Sequence, residues 1–186
     1  MSNHQDDIER GQRFAFGKNW ADFSNVLNEQ RITKAEESLR TMLNVETLDG
    51  LSFLDIGCGS GLFSLAAHRL GARVHSFDFD PQSVATTQEL RRRFSMHSEG
   101  WKIEEASILD TSYLSTLGSF DIVYSWGVLH HTGHMWQALT NAITTIAPNG
   151  KLFIAIYNNQ GAKSKVWHFI KRMYCSSHVG KTIISS

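Results

Sequence analysis

Apolar residues first recur at helical spacing over residues 28–44. There Ile32, Ala35, Leu39, Met42 and Leu43 fall at i, i+3 and i+4 and define one helix face. Residues 1–27, ahead of them, carry an aromatic cluster of Phe14, Phe16, Trp20 and Phe23. Asp49-Gly50 marks a turn, and the pattern then changes. Leu51–Ile56 is a short apolar run of strand length, Leu62–Leu70 a helix stopped by Gly71, and Arg73–Asp78 a second strand. Asp80 and Pro81 suit an N-cap and the first helical position, which predicts a helix to about Met96. Trp101–Ala106 reads as a third, weaker strand and Phe120–Ser125 as a fourth. Met135–Ala147 is a helix ended by Pro148 and Asn149-Gly150. Lys151–Tyr157 is a fifth strand without alternation, which predicts burial on both faces. Lys163–Tyr174 suits a last helix, with Val166, Ile170 and Met173 on one side.

Strands that alternate with helices imply a parallel sheet, because parallel neighbours need crossover connections and the helices supply them. The fold class is therefore α/β, a doubly wound, Rossmann-like parallel sheet of about five strands. The organisation expected is an N-terminal lead-in and helix over residues 1–44, its aromatic cluster either a candidate lid or core packing for that helix, followed by the Rossmann-like domain over 45–186. Ligands of such folds bind at the C-terminal ends of the strands, near the switch in strand order. Those turns are where chemistry is to be sought.

The turn after the first strand reads Asp55-Ile-Gly57-Cys-Gly59-Ser-Gly61-Leu62. Glycines allow a tight turn and close approach of a ligand. The dinucleotide fingerprint G-x-G-x-x-G fits neither register, because Leu62 and Ser64 stand where the last glycine is needed. An acid beside a pyrophosphate would repel it, so Asp55 better suits a ligand with a cationic group. Leu54–Phe63 resembles the first motif of class I S-adenosylmethionine-dependent methyltransferases. The resemblance implies S-adenosyl-L-methionine as cofactor, whose sulfonium and ammonium agree with the acid. An ordinary Gly-rich turn is the structural alternative.

The remaining strand ends extend the pattern. Asp78 closes the second strand about 20 residues after Gly57, placed to accept hydrogen bonds from ribose hydroxyls. Asp80 is the competing acid, but a capping role before Pro81 accounts for it. By resemblance, Ser107 and Ile108 in the loop after the third strand flank the adenine, and Trp126 closes over the methionine part of the cofactor. The alternatives are a plain loop and a core tryptophan. His130 and His131 sit at the same edge, and a histidine titrates in the range a general base needs near neutral pH. His130 is the preferred candidate, with a structural or capping pair as the alternative. Asn28–Arg31 resembles a stretch before the first strand of ubiquinone-type small-molecule methyltransferases, in which an arginine reaches the cofactor carboxylate, against the alternative of a solvated Arg31. No metal site is expected. Arg91-Arg92-Arg93 reads as a solvated helix face.

Charge and composition narrow the classes. The net charge is zero, which argues against a protein that holds nucleic acid by bulk charge. Residues are 41% apolar and 19% charged, too apolar for a disordered chain. The apolar run Leu152–Tyr157 is far short of a membrane span, and the polar, acidic start does not resemble a signal peptide. Two cysteines, Cys58 and Cys175, do not make a disulfide scaffold, so a reduced, cytoplasmic setting is expected. Class I methyltransferases usually add an antiparallel hairpin after the fifth strand, and the residues after Tyr157 are too few for a helix and both strands. The expectation is a short sheet, belonging to a fragment, a shortened family member, or a domain whose fifth-strand edge a dimer or a partner covers. The function implied is methyl transfer from S-adenosylmethionine to a small-molecule acceptor, at oxygen. The alternatives are a non-catalytic or partner-completed cofactor-binding domain and, disfavoured by Leu62 and Ser64, a nicotinamide-dependent oxidoreductase.

Overall fold

A computed structural model of the chain describes residues 27–95 and 99–157. The aromatic lead-in and the helix expected over Lys163–Tyr174 lie outside the described residues. Contacts divide the chain into two units, Met1–Ile156 and Tyr157–Ser186. The first carries all the elements below.

Helix α1 spans Glu29–Leu43. The Asn28 side chain accepts the Arg31 N–H at 3.1 Å, and Glu29 places negative charge in the first turn, so both N-terminal signals favour a helix start. Asn44 ends it in the left-handed conformation, returning its N–H to the Arg40 carbonyl. Ile32, Ala35, Leu39 and Leu43 are buried, the face that the spacing predicts.

Strands β1 (Ser52–Ile56), β2 (Arg73–Asp78), β3 (Trp101–Glu105), β4 (Phe120–Trp126) and β5 (Ile146–Ala155) form one sheet in the order β3-β2-β1-β4-β5. All described pairings are parallel. Helices α2 (Leu62–Arg69), α3 (Pro81–Phe94), α4 (Thr111–Leu114) and α5 (Met135–Thr144) connect them. The order reverses between β1 and β4, which puts the crevice of a doubly wound sheet above those two strands. Asp80 caps α3 by accepting the Gln82 N–H at 2.9 Å, with Pro81 at the first helical position. Asp110 caps the short α4 in the same way.

Alternation along β1 divides the core. Phe53 packs with Leu39, Leu65, Leu90 and Tyr124 on one face. Leu54 and Ile56 pack with Phe77, Val123, Ala138 and Ala142 on the other. Asp55 therefore points to the Phe53 face, among side chains of α2 and β4.

The fifth strand differs from expectation in two ways. It begins at Ile146, so Pro148-Asn149-Gly150 lies inside the strand rather than ending the preceding helix. A register shift lets the ladder absorb this: Phe120 faces Ile146, and Ile122 faces Lys151. Proline is tolerated at such a bulge, and Asn149 takes a left-handed φ of 67° there. Moreover, β5 is only part-buried, because it forms the edge of the described sheet and has a strand neighbour on one side only.

Candidate functional site

The C-terminal ends of β1, β2 and β4 and the loop after β3 bring together most of the residues that the sequence singles out. Gly57, Gly59 and Gly61 all adopt positive φ, at 75°, 55° and 77°. Gly57 donates its N–H to the Phe77 carbonyl at 2.8 Å, which binds the turn to the end of β2. The reason for glycine at two of these positions is protein packing as much as ligand approach. A Cβ on Gly57 would lie 2.5 Å from Val128 Cγ1, and one on Gly61 would lie 2.7 Å from Thr87 Cγ2. The turn is thus pressed between the segment after β4 and helix α3.

Asp78 stands at the end of β2 and serves this turn directly. Its Oδ2 accepts the Gly59 N–H at 2.9 Å, and its Oδ1 accepts the Asp80 N–H at 2.9 Å. Asp80 is buried and committed to its cap. Asp55 is 3% exposed. Its Oδ2 accepts the Ser64 hydroxyl from α2, and burial together with the nearby Asp78 charge pushes its carboxyl up to about 7. The Cys58 thiol, buried between the same carboxylates, is pushed up as well, so the group is inert packing in the turn.

Trp126, at the last position of β4, is 46% exposed. Its indole stacks on Phe153 at 6.0 Å and on Phe63 at 5.9 Å, so a half-exposed indole stands supported at the C-terminal end of β4. Below it lies Tyr124, 1% exposed, paired in register with Asp55. The Tyr124 hydroxyl is buried without a hydrogen-bond partner among the described residues, and burial and the Asp55 charge raise its pKa. Such a group asks for an acceptor or donor that none of the described residues provides.

Ser107 makes a local turn, its Oγ accepting the Leu109 N–H at 3.1 Å. Ile108 is buried in the second core cluster, and its carbonyl accepts the Asn141 side chain at 2.8 Å. His130 lies in a 3-10 turn, Leu129–His131, with its ring 4.0 Å from that of His131. Both its ring nitrogens are buried, and burial lowers its pKa, so the imidazole is neutral at neutral pH. Arg31 is exposed on the first turn of α1, where the neighbouring Glu29 pairs with Arg69 of α2 at 2.7 Å. Among the described residues no cluster of histidines, cysteines and carboxylates suits a metal ion.

Sequence reasoning missed Ser64, Tyr124, Val128 and Thr87. Tyr124 carried a usable signal, two residues before Trp126 on the same strand and so on the same face. The others are known to belong here only through contacts across elements.

Residues 54–152 match the methyltransferase domain family. A ubiquinone biosynthesis O-methyltransferase of Parvibaculum lavamentivorans is 30% identical over 116 residues, which cover 61% of this chain and 43% of that protein. A protein of the same name from a Methylobacterium species is 31% identical over 121 residues, covering 64% and 46%. The chain thus spans less than half the length of these curated relatives. Among solved structures, magnesium protoporphyrin IX methyltransferase from Synechocystis superposes with a TM-score of 0.58 at 19% identity, over 80% of this chain and 64% of that one. Coclaurine N-methyltransferase superposes with a TM-score of 0.53 at 20% identity, over 66% and 35%. These likenesses concern the fold.

Proposed function

This chain belongs to the methyltransferase domain family, and from that premise we propose that it binds S-adenosyl-L-methionine and transfers its methyl group to the oxygen of a small-molecule acceptor. The observation that carries the reading is the acidic, glycine-rich turn, locked by Asp78 and set beside the half-exposed indole of Trp126. Such a donor set suits a cationic nucleoside: carboxylates at two strand ends, an aromatic face, and a buried Tyr124 hydroxyl with no partner among the described residues. Gly57, Gly59, Gly61, Asp55, Asp78, Ser107, Ile108 and Trp126 are the residues we assign to hold the cofactor, with Arg31 as the partner of its carboxylate.

The bound cofactor supplies a methyl group activated by attachment to a cationic sulfur. What remains for the chain is alignment and exclusion of water. The Trp126 face attracts positive charge and covers the site on one side. Asp78 offers carboxylate oxygens to hydroxyl groups while holding Gly59 in place. A neutral imidazole at His130 accepts the proton that an O–H acceptor must lose. The aromatic lead-in, which lies outside the described residues, is the candidate lid, and the edge of β5, which has a strand neighbour on one side only among the described residues, is where a second copy or a partner would add. Among the described residues no helix is long and apolar enough to cross a membrane.

Calorimetric titration of the whole chain with S-adenosylmethionine and with NAD, followed by methyl transfer to phenolic and amine acceptors, tests the reading. Binding of the methyl donor and not of NAD, with methylation of a phenol, is the expected result. Binding without turnover on any acceptor would replace it with a non-catalytic cofactor-binding domain. No binding in a folded chain would remove it.

A further inference from the structure

Asp55 is the end point of a buried line of hydrogen bonds that starts on a different edge of the sheet. Trp101 opens β3 and pairs in register with Val74, so its indole reaches diagonally to Ser76. The indole Nε1–H donates to Ser76 Oγ at 2.9 Å. Ser76 Oγ lies 2.7 Å from Ser64 Oγ, and Ser64 donates to Asp55 Oδ2. Ser64 and Ser76 have no exposed surface, and Trp101 and Asp55 have almost none. Water does not compete for these bonds, and each polarises the next.

The chemistry of the donors fixes the direction. An indole N–H donates and accepts nothing, while a hydroxyl has one proton to give. With Ser64 donating to Asp55, the proton between the two serines must come from Ser76, which accepts the indole in turn. Protonation of Asp55 toward Ser64 would reverse Ser64 onto Ser76 and leave the Ser76 proton without an acceptor within the line. We propose that Trp101, Ser76 and Ser64 form a one-way relay of donors that holds Asp55 as a carboxylate oriented for the cofactor, which makes Trp101 a positioning residue of the site although it never reaches the strand ends. The inference deepens the reading of the site as a methyl-donor pocket and rests on it for the binding arm of the test below.

The groups that face Asp55 define what the relay works against. Asp78 of β2 opposes a second negative charge, and the Cys58 thiol and Tyr124 hydroxyl bring no compensating cation. Burial acts in the same direction, and the Ser64 bond is the opposing influence. His68 of α2 packs on the Trp101 ring at 5.7 Å, on the far side of the relay. Asp55 therefore sits where a small change in donor strength alters its charge at neutral pH.

The test follows the Asp55 carboxyl carbon by NMR across a pH titration of the full chain. Wild type, Ser64→Ala, Ser76→Ala and Trp101→Phe are compared. The Asp55 midpoint is expected to rise by about one pH unit when Ser64 loses its hydroxyl. A smaller rise is expected in Ser76→Ala and in Trp101→Phe. Ser76→Ala reports on the same link without disturbing the indole, should Trp101→Phe fail to fold. Wild-type midpoints in both remote variants would overturn the relay, leaving Trp101 as packing alone. In the binding arm, affinity for S-adenosylhomocysteine at neutral pH falls in Trp101→Phe in step with the titration. If wild type binds none while the midpoints still shift, the pocket reading fails and the relay stands as a device that sets the charge of Asp55.

Discussion

Asp78 Oδ2 accepts the backbone N–H of Gly59 at 2.9 Å, which ties the end of β2 to the middle of the glycine turn. The same carboxylate holds the Asp80 N–H through its other oxygen. One side chain thus shapes the turn after β1 and the entry to α3, so a change at Asp78 acts on the backbone of the site as well as on any ligand hydroxyl.

Asp78→Ala is therefore expected to lower affinity for S-adenosylmethionine about 100-fold, as the loss of two hydrogen bonds to a charged group implies. Asp80→Ala serves as the contrast. It removes the cap of α3, costs about 1 kcal/mol in stability, and leaves donor affinity near wild type. Calorimetric titration beside urea unfolding separates the two. Equal loss of affinity in both variants would count against a direct role for Asp78.

Gly57 and Gly133 share a positive φ, at 75° and 78°, but differ in surroundings. A Cβ on Gly57 meets Val128, whereas a Cβ on Gly133 has nothing within 4 Å. Gly133→Ala is expected to cost about 1 kcal/mol, the conformational part alone. Gly57→Ala is expected to cost about 3 kcal/mol, because the side chain of Val128 must also be displaced. Shortening the neighbour in Gly57→Ala/Val128→Ala should recover part of the loss. Additive unfolding energies in that double-mutant cycle would show that the two positions do not meet.

Asp55 gives stability a definite dependence on pH. Its folded carboxyl is raised to about 7 from an ordinary value of 3.8, so between those two values the unfolded chain binds fewer protons than the folded one. Stability from this group is complete at acid pH, declines as pH rises from about 4 to about 7, and is level above that. Asp55→Asn removes the titration while retaining an acceptor for Ser64. The difference in unfolding free energy between wild type and Asp55→Asn should therefore grow in favour of the variant across that window, by up to about 4 kcal/mol. A difference that is flat with pH would show that Asp55 ionises as freely in the folded chain as in the unfolded one.

His130 is held neutral by burial, the form a general base requires. His130→Ala is expected to lower turnover on a phenolic acceptor about 100-fold, with donor affinity unchanged. Wild-type activity should fade as pH drops below the histidine range. Unchanged kcat in the variant would assign the histidine pair to the packing of its 3-10 turn.

Much of this architecture is written in local sequence. Periodicity locates α1 and β1 to β4 within a residue or two, because each element's apolar face is set by its own spacing. The starts of α3 and α4 are equally local, since Asp80 and Asp110 bond to N–H groups two residues away. The acid–glycine pattern over Asp55–Gly61 and the acid at Asp78 single out the candidate ligand edge for the same reason: strand ends in a parallel sheet must carry the turns. Tertiary structure decided the rest. Only the assembled sheet brings Val128 against Gly57, Tyr124 beside Asp55, and the indole of Trp101 into line with Ser76 and Ser64. Only pairing with β4 draws Pro148 into a bulge of β5. These features depend on register and on the reversal of strand order between β1 and β4, and a side chain's meaning there is set by partners far along the chain.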